Sequence, residues 1–208
     1  FLKSRIACSL PLDSTMLNCG LEVLRLASLG CWREENWFES LIFPGTVSSL
    51  ALLHYPLRPC ATPQAAMDGD TPLCCQDHAD SILVTLLDTF QYPGLQIWRE
   101  DGQWMEVPVR PDSLVMNIGQ TLSAISGGRF KATRHRVRDI LVDRFSAAFF
   151  LEPKYDGDIT VRMFGTEGED NRLQSEEEVI KHYGPWLIDK MRNKPEYRDF
   201  VALEFSTV

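Results

Sequence analysis

Apolar positions change their period twice along this chain. From about Asp13 to Leu41 they recur at mixed three- and four-residue spacings (Met16, Leu21, Val23, Leu24, Leu26, Trp32, Trp37, Phe38, Leu41), which predicts an amphipathic helix. Asp13 or Ser14 offers an N-cap, Gly30 a break, and "FPGT" at 43–46 an end. From about Ser49 to Phe164 short β-rich runs alternate with turn signals: "LALLHYP", "ILVTLLD", "GLQIWRED", "QWMEVPV", "SLVMNIG", "ATRHRVRD", "RFSAAFFLEP" and "DITVRMF". Asp101-Gly102 between two of these runs predicts a hairpin. Pro56, Pro59 and the polar "PQAAMDGDTP" predict a loop before Leu73. Helical spacing then returns: Ser175 and Glu178 form a capping box ahead of Val179, Ile180, Tyr183, Trp186, Leu187 and Met191.

Many short strands with no helices between them predict a mainly β sandwich or barrel rather than βαβ units. The length of 208 residues suits one domain able to bury a real core. A net charge of −8 opposes the basic footprint that nucleic-acid binding requires. No apolar run approaches the ~20 residues of a membrane span. Cys8, Cys19, Cys31, Cys60, Cys74 and Cys75 show no C-x-x-C and no framework spacing, so reduced thiols in a cytoplasmic protein are expected. Phe1-Leu2-Lys3-Ser4-Arg5 is not a signal peptide, and with no initiator Met the chain reads as beginning mid-protein.

The candidate chemistry starts at "CCQDHADSILVTLL", residues 74–87. In a strand, residues i and i+2 share a face, so His78 and Asp80 are expected to present an imidazole and a carboxylate side by side. Two ligands hold a metal poorly, and the best third is His135 in "GGRFKATRHRVRD". Two His and one carboxylate with open positions is the donor set of non-haem Fe(II) oxygenases, though it does not exclude zinc. Arg144 and Ser146 in "DRFSAAFF" again share one strand face. An Arg fork with a neighbouring hydroxyl suits a bound carboxylate, but a structural Asp would serve a buried Arg equally well.

Taken together, "LLHYP", "DHADSILVTLLD", "GLQIWREDGQWMEVPVRPDSLVMNIGQTL", "GGRFKATRHRV" and "RFSAAFFLEP" resemble, in order, the catalytic core of the iron(II)/2-oxoglutarate-dependent dioxygenases, in the branch similar to isopenicillin N synthase. The resemblance covers roughly Ser49 to Pro153. It implies a double-stranded β-helix (jelly-roll) core with flanking α-helices at both ends. The expected division of a single domain is a helical lead-in at 1–45, the jelly roll at 46–165 and a C-terminal helical segment at 166–208. Carried over by position, His78, Asp80 and His135 match the iron ligands, Arg144 and Ser146 the grip on the distal carboxylate of 2-oxoglutarate, and Tyr55 a cosubstrate contact. Asn117 in "NIG" matches a core turn position with a structural role.

The resemblance implies oxidation, most often hydroxylation, of a small organic substrate by O2, with Fe(II), with 2-oxoglutarate converted to succinate and CO2, and with ascorbate as a candidate reductant. Two alternatives stand beside it: a same-fold Fe(II)/O2 oxidase that does not use 2-oxoglutarate, and a non-catalytic truncated jelly-roll binding protein. Ile82, Gln120 and Leu53 depart from residues common in the family, without removing a ligand. The family's N-terminal region has no counterpart here. His54 is expected to be structural, His182 a surface or packing residue, and Trp98 with Trp104 a cross-strand pair. The acidic stretches between 167 and 178 are expected to form a solvated surface.

Overall fold

The strands pair into two antiparallel sheets of five. The structure, a computed structural model, describes residues 2–6, 11–57, 66–68, 71–160 and 181–192. The predicted capping box at Ser175, the acidic stretches at 167–178, Cys8, Cys60 and most of the expected strand at 158–164 lie outside the described residues. In chain order come β1 (Leu2–Ile6), α1 (Pro11–Gly30), α2 (Glu39–Ile42), β2 (Ser49–Tyr55), β3 (Ala66–Asp68), β4 (Thr71–His78) and β5 (Val84–Asp88). There follow β6 (Leu95–Trp98), β7 (Trp104–Glu106), β8 (Val115–Ile118), α3 (Gln120–Ile125), β9 (His135–Arg138), β10 (Arg144–Leu151) and α4 (Tyr183–Arg192). The first sheet, which carries α1, has the order β1-β2-β10-β5-β8, and the second has β3-β4-β9-β6-β7.

Two expectations need correction. The lead-in at 1–45 is not wholly helical, because Leu2–Ile6 forms an edge strand on β2, with Leu2 opposite His54 and Ile6 opposite Leu50. In its sequence "LKSRI", Leu2 and Ile6 flank three polar residues, a span too short to carry a helical repeat. The loop expected before Leu73 is instead a hairpin, with Met67 paired to Pro72. Residues 66–68 and 71–73 thus pair as neighbouring strands where a gap between strands was expected. Helix α1 starts at Pro11, ahead of the expected cap, since proline suits a first helical turn. It ends at Gly30, where a break was expected.

Strand alternation sorts the first sheet into two faces. Leu50, Val84, Leu86, Ala147, Phe149 and Leu151 point into the main core. Helix α1 covers them with a buried stripe at four-residue spacing: Met16, Gly20, Leu24 and Ser28. A Cβ on Gly20 would come within 2.9 Å of a Leu151 methyl, so the glycine allows this close approach. Helix α3 adds Leu122 and Ile125, and each such buried side chain contributes about 1.5–3 kcal/mol. Leu26 and Trp32, apolar by pattern, stay exposed. No helix among the described residues is long and apolar enough to cross a membrane.

The opposite parity, Tyr55, Thr85, Leu87, Asn117, Arg144, Ser146 and Ala148, is left to line the other face. The hairpin at Asp101-Gly102 forms as expected, with Gly102 at φ +78° and Trp98 opposite Trp104 across the β6–β7 connection. At the C-terminal end of the described chain, the buried Tyr183 hydroxyl donates to Glu152 Oε2 at 2.8 Å and pins α4 beside the end of β10.

Candidate metal centre

Strand β4 delivers its histidine through an irregularity. Between Cys75 and His78, three residues of β4 stand against two of β9. This bulge turns both side chains to the face shared by their partners Val137 and His135. His78 and His135 become register partners with ring centroids 4.4 Å apart. The expected i, i+2 strand geometry for His78 and Asp80 does not occur. Strand β4 ends at His78 and β5 begins at Val84, so Asp80 lies in the connection between them.

That connection is held by the first sheet. Thr85 Oγ1 donates to Asp80 Oδ2 at 2.6 Å, and Asn117 Nδ2 donates to the same oxygen at 2.9 Å. The Gln120 amide donates to the Asp80 carbonyl at 2.8 Å and the Thr121 hydroxyl to that of Ser81 at 2.6 Å. Gly119 packs so closely that an added Cβ would sit 1.9 Å from the Ile82 carbonyl oxygen. Its φ of −93° is ordinary, so the requirement for glycine here is steric. Sequence reading missed Thr85 altogether and took Asn117 for a structural turn position. The available signal was a lone polar residue within each of the apolar runs "ILVTLL" and "LVMNI".

One donor atom from each of His78, Asp80 and His135 lies within 4.8 Å of the others. His78 Nε2 is 3.5 Å from Asp80 Oδ1, and His135 Nε2 is 3.9 Å from Oδ2. Each imidazole donates its Nδ1 proton to a backbone carbonyl, His78 to Gln76 at 2.9 Å and His135 to Thr133 at 3.0 Å. This fixes the tautomer that leaves Nε2 for a metal when the ring is neutral. Burial alone would depress both histidines. At His78 the Asp80 carboxylate, helped by Cys75 and the Gln76 carbonyl, overrides burial and pushes the pKa up to about 10. At His135 burial prevails over Asp80, and the pKa falls below its ordinary value. Burial opposes the charge on Asp80, but His78, His135, Thr85 and Asn117 together hold its carboxyl well below the usual range.

Arg144 opens β10 opposite Tyr55, its guanidinium carbon 3.9 Å from the centre of the tyrosine ring. Arg144 and Ser146 are 4% and 3% exposed, on the same parity as Thr85 and Asn117. Among the described residues, Arg144 Nε and Nη2 and Ser146 Oγ have no hydrogen-bond partner, and no carboxylate pairs with Arg144. Burial pushes the Tyr55 phenol up. The Ser146 hydroxyl, close to the phenol but without a well-formed hydrogen bond, and Arg144 pull it weakly the other way. Thr85 is opposite Phe150, four residues from Ser146 along β10, or about 13 Å at the usual strand rise. Between them lie Ala148 and its partner Leu87.

The remaining polar candidates fall outside this cluster. His54 stacks on Phe145 at 4.4 Å and faces Asp143, on the outer side of β2. His182 is exposed and donates to the Asp156 carbonyl at 2.8 Å. Trp98 and Trp104 pack edge to face across the hairpin, 5.0 Å apart.

A family model described as the 2OG-Fe(II) oxygenase superfamily matches residues 47–153, a stretch that includes all six candidate residues. The chain belongs to this superfamily. Its members use Fe(II) and 2-oxoglutarate, which agrees with the His-Asp-His cluster. Among curated relatives, gibberellin 2-beta-dioxygenase 1 of Pisum sativum is 32% identical over 141 residues, covering 66% of this chain and 42% of the relative. Isopenicillin N synthase of Streptomyces jumonjinensis is 30% identical over 178 residues, covering 85% and 52%. The chain thus spans about half the length of the curated relatives it matches. A full-length Neurospora crassa protein, solved in complex with alpha-KG, shares the fold at a TM-score of 0.70 and 22% identity, over 86% of this chain and 55% of that protein. This likeness shows a shared fold, in line with the expected double-stranded β-helix.

Proposed function

We propose that this chain forms the Fe(II)- and 2-oxoglutarate-binding core of a dioxygenase that oxidises a small organic substrate, most simply by hydroxylation. The observation that carries this reading is a pairing. Three donors converge within 4.8 Å, and strand β10 holds a buried Arg and a buried Ser with polar atoms that lack hydrogen-bond partners among the described residues. A buried, unsatisfied guanidinium is costly, and a bound carboxylate relieves that cost.

His78 and His135 would hold the metal through Nε2, and Asp80 through one carboxylate oxygen. Bound Fe(II) supplies dioxygen activation, driven by the conversion of 2-oxoglutarate to succinate and CO2. Arg144 presents its fork, and Ser146 its hydroxyl, to the distal carboxylate of the cosubstrate. Tyr55 supports the guanidinium with its ring face and completes that end of the pocket. Ala148 and Leu87 offer a low apolar strip for the methylene chain.

The test is succinate formation from 2-oxoglutarate by the Fe(II)-loaded full-length protein, coupled to O2 uptake. The reading predicts succinate in proportion to O2. Uptake of O2 and substrate without succinate would support a same-fold oxidase, and no uptake with any candidate would support a binding protein.

A further inference from the structure

Thr85 and Asn117 are direct register partners on the neighbouring strands β5 and β8. Both donate to one atom, Asp80 Oδ2, at 2.6 and 2.9 Å. An ionised carboxylate has about four lone-pair sites on two oxygens, so two donors fill the capacity of one oxygen. Oδ1 is left without these donors and lies 3.5 Å from His78 Nε2, whereas the doubly hydrogen-bonded Oδ2 lies 3.9 Å from His135 Nε2. We infer that Thr85 and Asn117 are positioning residues that restrict Asp80 to one metal-binding oxygen. This rests on the proposed Fe(II) site and specifies how that site keeps its positions open.

The consequence concerns coordination number. A metal held by two imidazoles and one carboxylate oxygen would keep positions open for a 2-oxo acid and for O2. A carboxylate free to rotate could bind through both oxygens and take a position from the cosubstrate. Two donors from different strands oppose that rotation better than one. The backbone of the same connection is held independently, through the Gln120 amide on the Asp80 carbonyl at 2.8 Å. Loss of the side-chain anchors should therefore free the carboxylate without moving the chain.

The substitutions are Thr85→Val, which keeps the shape and removes the donor, Asn117→Leu, and the two combined. Co(II) serves as the metal probe, measured by equilibrium dialysis, and 2-oxoglutarate binding to the Co(II)-loaded protein is measured by calorimetry. Groups that orient a metal ligand typically change the properties of the site by about 10- to 100-fold. The double variant is expected to keep one Co(II) per chain while its 2-oxoglutarate Kd rises by about 10-fold or more. Each single variant should show a smaller rise, and Thr85→Ser should restore the wild-type value. An unchanged 2-oxoglutarate Kd in metal-loaded Thr85→Val and Asn117→Leu would overturn the inference, as would parallel losses of metal and cosubstrate in Thr85→Ser. Failure of the wild-type protein to bind Co(II) would instead reject the metal site itself.

Discussion

Replacing Arg144 with Met separates a cosubstrate grip from a structural salt bridge, because the two readings predict opposite signs for stability. In protein stripped of metal and cosubstrate, Arg144 is 4% exposed, and two of its nitrogens lack partners among the described residues. Each unsatisfied buried donor costs about 1–3 kcal/mol, so Met relieves about 2–6 kcal/mol. Met also loses the cation–π contact with Tyr55, at 3.9 Å, worth about 0.5–2 kcal/mol when desolvated. The net expectation is a variant as stable as wild type, or more stable by a few kcal/mol. Breaking a real buried ion pair would destabilise by about 3–5 kcal/mol. Cosubstrate affinity should move the other way. Two charge-assisted hydrogen bonds at about 1.5–3 kcal/mol each amount to about 3–6 kcal/mol, or roughly 10²- to 10⁴-fold in Kd. The assays are a chemical denaturation curve without ligands and a 2-oxoglutarate titration of the metal-loaded protein. Destabilisation of about 3 kcal/mol or more, combined with an unaltered 2-oxoglutarate Kd, would refute the reasoning.

Other expectations follow from the same geometry. The His78 pKa, raised to about 10, makes its ion pair with Asp80 a stabilising contribution in metal-stripped protein. That contribution is complete below the unfolded value of about 6.5 and disappears as pH rises through the folded value. Urea midpoints should therefore fall between about pH 7 and 10 in wild type but not in His78→Gln, and equal slopes in both would remove the pair. Because His78 carries a proton near neutrality, metal uptake should release it, and metal affinity should rise with pH. Calorimetry in buffers of different ionisation enthalpy measures that proton. Gly119→Ala forces a Cβ to within 1.9 Å of the Ile82 carbonyl oxygen, so the 80–83 connection must shift. A loss of about 1–3 kcal/mol or more is expected, together with weaker metal binding. Near-wild-type values for both would show that the connection adapts freely.

Much of this site was legible in the sequence. His78, Asp80 and His135 stand out as a metal-ligand donor set. Arg144 and Ser146 stand out as a charge and a hydroxyl beside an apolar run, where burial needs a chemical reason. Their two-residue spacing placed Arg144 and Ser146 on one face correctly, since β10 is regular there. The same rule failed at His78 and Asp80, where the strand ends and a bulge re-aims the histidine. Composition carries no signal for a bulge, which is set by how the partner strand is met. Thr85 and Asn117 were unreadable as a pair for a related reason. They are far apart along the chain, and only the β5–β8 register brings their donors together on one carboxylate. The β3–β4 pairing before Leu73 was hidden by proline and glycine signals that also fit an open loop.

The central claim is that His78, Asp80 and His135 together hold one metal ion. Anaerobic equilibrium dialysis against Fe(II), comparing wild type with His135→Ala, tests it most directly. The account predicts one tightly held iron per wild-type chain and none in His135→Ala, with the circular-dichroism spectrum and cooperative unfolding retained. Equal iron stoichiometry in the two proteins would contradict it.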